Sequence, residues 1–159
     1  FVHESHPALI SFDLEADLPP ITADASRLRQ VLNNLIINAK DATAEVSEPE
    51  IRISTRYVEE NEHGYVQLTI SDNGHGFTAE DRSRLFEPYV TTKDEKGTGL
   101  GLAIVKRIVE EHGGLVWLEN GRGGRGAVVT ITLPVGESAV STDLRLRRVQ
   151  QRFLSESTG

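Results

Sequence analysis

The stretch 24-DASRLRQVLNNLIINAKDAT-43 decides how this chain is read, because it carries two patterns at once. Leu28, Val31, Leu32, Leu35, Ile36 and Ala39 recur at the spacing that gathers apolar side chains on one face of an α-helix. Asp24 stands where an N-cap belongs, so the pattern predicts a helix from there through about Thr43. At about 100° per residue, Gln30, Asn34, Asn38 and Asp41 fall within a second stripe roughly 80° wide. An ordinary solvated face would use Glu and Lys, since Asn competes for its own backbone and weakens a helix. Two Asn one turn apart are therefore candidate ligands. An amide oxygen is a neutral, hard donor that suits Mg²⁺, and Asn38 is the candidate for it.

Outward from this helix the chain alternates between strands and helices. Ala8 to Leu14 reads as a strand, with Pro19-Pro20 closing the connection that follows. Ile51 to Val58 and Val66 to Ile70 read as a β-hairpin with a five-residue loop at Glu60 to Gly64. A short helix is expected near Ala79 to Leu85, a polar irregular stretch from Pro88 to Thr98, and a helix from Leu100 to His112 stopped by Gly113-Gly114. Leu115 to Glu119 and Ala127 to Leu133 complete the strands, and Pro134 ends the pattern. This order predicts an α+β fold, a two-layer α/β sandwich with a mixed, mostly antiparallel sheet and helices on one face. Residues 1–135 form that domain. Residues 136–159 read as a C-terminal linker or tail with a possible short amphipathic helix, because Leu146, Val149 and Phe153 recur at helical spacing among four arginines.

Two glycine segments border the predicted strands and helices. Asp72-Asn73-Gly74-His75-Gly76 directly follows a strand; an ionised Asp there can accept the exocyclic amine of adenine, and the glycines allow close backbone approach. Read alone, the segment is more simply a plain Asp-Asn-Gly turn. Gly97-Thr98-Gly99-Leu100-Gly101-Leu102 opens a helix, where free N–H groups can cradle phosphate. It is neither a Walker A loop nor a dinucleotide fingerprint, since no Gly-Lys-Ser/Thr follows and Leu102 takes the third glycine's place.

Bulk properties narrow the class. The chain has 159 residues, enough for one domain, and no Cys, which removes disulfide and Cys-based metal chemistry. With no Met it carries no initiator and reads as a piece of a longer protein. Its formal charge of −7 argues against nucleic acid as the main partner. No apolar run reaches membrane-spanning length, so no direct membrane contact is expected of this piece.

Taken in order, the Asn helix, the Asp-x-Gly-x-Gly strand end, a Phe-containing segment and the second glycine segment resemble the N, G1, F and G2 boxes of the sensor histidine-kinase catalytic domain. That domain belongs to the superfamily shared with gyrase, Hsp90 and MutL, whose fold is of the Bergerat ATP-binding type. The resemblance covers about residues 8–134, and LFEPYVTTKDEKGTGLGLAIVKRIVEEHGG (85–114) looks most like nitrogen-regulation kinases of the NtrY and NtrB types. Gly123-Gly124-Arg125-Gly126 resembles a last glycine box.

The resemblance implies that ATP and Mg²⁺ are the cofactors. Asn38 would bind the metal, Asp72 adenine, and Gly74 and Gly76 would shape the floor beneath the base. Phe86 to Lys96 would form a lid, with Lys93 reaching the terminal phosphates and Gly97, Thr98, Gly99, Leu100, Gly101 and Leu102 covering them. Asn34 would stand where related ATPases carry a basic Glu, and an amide cannot take a proton at neutral pH. That implies a phosphoryl donor rather than a hydrolase. Asp41 departs from the Lys or Arg common in sensor kinases and would order water or a neighbour beside the nucleotide. Ala127 stands where the superfamily often has Thr. His3 and His6 do not fit an acceptor box, because Pro7 follows His3 by four residues instead of five. The acceptor histidine would therefore lie on a separate dimerisation domain of the same parent, a response regulator would act downstream, and this piece would not autophosphorylate alone. A cytoplasmic location is implied, in a parent that can itself be an inner-membrane sensor. A superfamily ATPase, an anti-sigma type serine kinase and a degenerate nucleotide-binding scaffold stay open as other readings.

Overall fold

The computed structural model describes residues 6–84, 86 and 101–136. Strand β1 (Leu9–Leu14) is followed by helix α1 (Ala25–Ala42), strands β2 (Glu50–Glu60) and β3 (His63–Asp72), and the short helix α2 (Ala79–Arg84). Helix α3 (Gly101–Glu111) precedes strands β4 (Leu115–Asn120) and β5 (Ala127–Pro134). Lys93, Gly97, Thr98, Gly99 and Leu100 lie outside the described residues, as does the chain from 137 onward.

The five strands form one sheet in the order β1-β2-β3-β5-β4. Only β1 and β2 pair in parallel; the other neighbours are antiparallel. Parallel neighbours cannot be joined by a hairpin and need a crossover, and α1 is that crossover. Its start is fixed as the sequence predicts: the Asp24 carboxylate accepts the N–H of Arg27 at 3.1 Å. Its end is fixed by Thr43, whose buried hydroxyl donates to the Ala39 carbonyl at 2.9 Å.

Val31, Leu35 and Ala39 of α1 and Val105, Ile108 and Val109 of α3 pack on Ile51, Ile53, Ile70, Ile131 and Leu133 of the sheet. Burial of each larger side chain contributes about 1.5–3 kcal/mol. Both helices therefore cover the same face of the sheet, giving the α+β two-layer arrangement. They run antiparallel. At one end the His112 Nε2 accepts the N–H of Asp24 at 3.0 Å, its Nδ1 meets the Ile108 carbonyl at 2.7 Å, and Arg27 pairs with Glu111.

The hairpin differs from the sequence expectation. The strands continue to Glu60 and from His63, and the connection is the two-residue turn Asn61-Glu62 rather than five residues. Both turn residues have positive φ, 48° and 65°, the conformation whose twist matches that of paired strands. Glu62 occupies a place where glycine is the usual signal, which is why the sequence reads as a longer loop.

Candidate functional site

Asp72 is the last residue of β3 and pairs with Ile51, so it lies on the helix-covered face of the sheet. Its Oδ1 accepts the N–H of Gly74 at 2.9 Å and that of Ala127 at 3.3 Å. Burial pushes its pKa above the ordinary carboxylate value, against the pull of those two N–H groups and of nearby His75. The hydrogen bonds described here use one carboxylate oxygen and hold the group in place.

The loop after Asp72 is clamped on both sides. Asn73 accepts the Glu50 N–H at 2.9 Å and donates to the Glu48 carbonyl at 2.8 Å. Asn120, at the end of β4, accepts from the Phe77 N–H at 2.8 Å and donates to the Phe77 carbonyl at 2.6 Å. Gly126 donates its N–H to the Gly74 carbonyl at 2.8 Å. Its φ is +73°, and a Cβ there would lie 1.9 Å from the Asp72 carbonyl oxygen. A Cβ on Gly74 would lie 2.3 Å from the Ala42 carbonyl oxygen, so the loop passes directly over the last turn of α1.

Gly101, at the start of α3, meets the same helix one turn earlier. A Cβ built on Gly101 would lie 3.8 Å from Nδ2 and 3.9 Å from Oδ1 of Asn38. Ala42 follows Asn38 by four residues, a rise of about 6 Å along the axis. The loop at Gly74 and the first residue of α3, Gly101, thus converge on adjacent turns of α1. The carboxamide of Asn38 faces the start of α3, and Asp72 closes the floor at the neighbouring turn. That convergence is what a chain needs in order to hold one ligand between all three motifs.

A family model described as "Histidine kinase-, DNA gyrase B-, and HSP90-like ATPase" matches residues 23–137. The chain belongs to that family. It is 43% identical over 145 residues to nitrogen regulation protein NtrY of Azorhizobium caulinodans, covering 87% of this chain and 18% of that protein. It is 40% identical over 126 residues to sensor histidine kinase ZraS of Escherichia coli K12, covering 79% of this chain and 25% of that protein. The chain therefore spans only about a fifth to a quarter of the length of these curated relatives. Among solved structures, the nucleotide-free catalytic domain of histidine kinase ThkA superposes with a TM-score of 0.66 at 34% identity, over 80% of each chain. Full-length ShkA in complex with AMPPNP gives 0.67 at 30% identity, over 84% of this chain and 27% of that one.

Family membership gives the remaining positions a frame. Asn34 lies one turn before Asn38; it is half-buried, and its Nδ2 has no hydrogen-bond partner among the described residues. A buried amide donor left this way costs about 1–3 kcal/mol, a penalty that a ligand or water can relieve. Asp41 is exposed on the same stripe. Leu102 is partly buried and packs against the core. Gly76 adopts φ +69° beneath Asn120 and Gly126, and Phe86 is half-buried. Ala127 is buried on the face of Val129, Ile131 and Leu133, as alternation along β5 predicts. The sequence reading missed the double clamp of Asn120 and the tie of Asn73 to β2. Asn120 carried no signal beyond a polar residue at a strand end, whereas Asn73 lay inside a motif already singled out.

Proposed function

We propose that this domain binds Mg-ATP and donates the γ-phosphoryl group to a histidine on a separate dimerisation and acceptor domain of the same parent, with a response regulator downstream. The convergence of Gly74 and Gly101 on adjacent turns of α1, with Asp72 and Asn38 between them, is the observation that carries this reading. The Asp72 oxygen not engaged by Gly74 and Ala127 accepts the exocyclic amine of adenine, a donor that guanine lacks at that position. Backbone N–H groups of 97–101 cradle the phosphates, with Lys93 at the terminal one. Asn38 fits Mg²⁺ as a neutral oxygen donor at the start of α3, because that ion takes few protein ligands and retains water and phosphate oxygens. When bound, Mg²⁺ supplies neutralisation of phosphate charge. This chain's residues contribute positioning, which accounts for most of phosphoryl-transfer catalysis.

Asn34 bears on the fate of the phosphoryl group. Its amide cannot serve as a base toward water, so hydrolysis is slow and the donor waits for an imidazole. The domain works in the cytoplasm. Labelled ATP mixed with this chain and the parent's acceptor hairpin tests the proposal. The expected result is label on a histidine of the hairpin and none on this chain alone. An unlabelled hairpin, or sustained rapid ATP hydrolysis by this chain alone, contradicts it.

A further inference from the structure

Asn120 ends β4 in register with Ala127, and between them the chain closes on itself, with the Gly121 N–H donating to the Gly126 carbonyl at 3.0 Å. The Asn120 carboxamide forms its hydrogen bonds elsewhere. Its Oδ1 accepts the N–H of Phe77, 43 residues away, and its Nδ2 donates to the carbonyl of the same residue. An amide side chain carries an acceptor and a donor side by side, so the two bonds together fix both the position and the rotation of Phe77. Gly76 makes the approach possible. Its φ is +69°, and a Cβ there would lie 3.0 Å from the Asn120 Oδ1 and 2.8 Å from the Gly126 carbonyl oxygen.

The β4–β5 connection therefore holds the loop after β3 at three points, Ala127 at Asp72, Gly126 at Gly74 and Asn120 at Phe77. The first two holds are backbone N–H groups, which any residue but proline supplies. The third is a side chain, and it stands where the loop ends. Thr78 follows, and its carbonyl accepts the Arg82 N–H at 2.9 Å as the chain enters α2.

We propose that Asn120 is a positioning residue that sets the preference for adenine, an inference that rests on the ATP-binding reading above. In that reading Asp72 tells adenine from guanine through its free oxygen, so discrimination depends on where the base lies against that oxygen. Gly74 and Gly76 form the floor under the base, and Asn120 anchors the far end of that floor. With Phe77 released, the floor tilts about the two remaining holds at Gly126 and Ala127. The base then shifts against Asp72 and the selective hydrogen bond loses its geometry, whereas phosphate contacts, which both nucleotides share, are kept.

Asn120→Asp keeps the shape and the acceptor and removes the donor, and titration of the full chain and of this variant with Mg-ATP and Mg-GTP tests the inference. ATP affinity is expected to fall about tenfold, the scale of one lost hydrogen bond, while GTP affinity changes far less. Loss of stability alone does not narrow the ratio of the two affinities. In the nucleotide-free domain, amide exchange at Gly74 and Ala127, whose N–H groups hold the Asp72 Oδ1, is expected to quicken severalfold. Should Asn120→Asp fail to fold, Asn120→Ser keeps a hydroxyl for one of the two bonds and should narrow the ratio less, in the same direction. A folded variant that retains the ATP preference of the parent chain, or its exchange rates at Gly74 and Ala127, overturns the inference and leaves the ATP reading standing. A parent chain that binds neither nucleotide overturns the ATP reading and the inference with it.

Discussion

The two ends of the α1–α3 pair are built in opposite ways. At one end Asp24, Arg27, Glu111 and His112 satisfy each other, so that the helices are tied by their own side chains. At the other end Asn38 faces Gly101, the buried Asn34 donor has no partner among the described residues, and Asp72 is held by backbone N–H groups at one oxygen. The closed end contributes stability and offers nothing to a ligand. The open end gives up some stability, through the desolvated Asp72 carboxylate and an Asn34 amide donor that has no partner among the described residues.

Substitution at the open end should separate stability from binding. Gly126→Ala is expected to have the largest effect, because its Cβ would meet the Asp72 carbonyl at 1.9 Å with φ at +73°. A loss of about 3 kcal/mol in urea unfolding is expected from the overlap and the left-handed backbone together. Next, Asn38→Ala should weaken Mg-ATP binding by roughly ten- to a hundredfold in calorimetry, the cost of one lost ligand contact, with the unfolding midpoint little changed. The contrast at the closed end is Asp24→Ala. It should cost about 1 kcal/mol of stability, as loss of a helix cap does, and leave nucleotide affinity unaltered.

Acidity sharpens the same comparison. Because burial raises the pKa of Asp72, ATP affinity should begin to fall at a higher pH than an ordinary aspartate would produce, as protonation replaces an acceptor by a hydroxyl. For the empty domain the sign is reversed. A carboxylate with a raised folded-state pKa contributes stability that is present below its unfolded pKa and lost as pH rises through the folded one. Asp72→Asn should flatten both dependences. Glu111 at the closed end is shifted the other way, lowered chiefly by its hydrogen bond to Arg107 and also by Arg27. That pair is exposed and salt-screened, so it does little for either quantity.

The sequence made α1 legible because two stripes coincided on one helix, and the order of strands made the two-layer fold legible with it. The Asn61-Glu62 turn was not, since Glu in a left-handed position gives no glycine signal. The floor of the site was readable as Asp72, Gly74 and Gly76. The partners that fix it were not: Ala127 acts through its N–H, which every residue but proline carries, and Asn120 acts across 43 residues of chain. The burial of Trp117 was equally hidden, because alternation tells which face a residue takes and not what covers that face.

Calorimetric titration of the full chain and of Asp72→Asn with ATP and with GTP, each in the presence of Mg²⁺, tests the central claim most directly. The account predicts clear preference for ATP in the parent chain and loss of most of that preference in the variant. Equal binding of the two nucleotides by the parent chain, or an undiminished preference in Asp72→Asn, would contradict it.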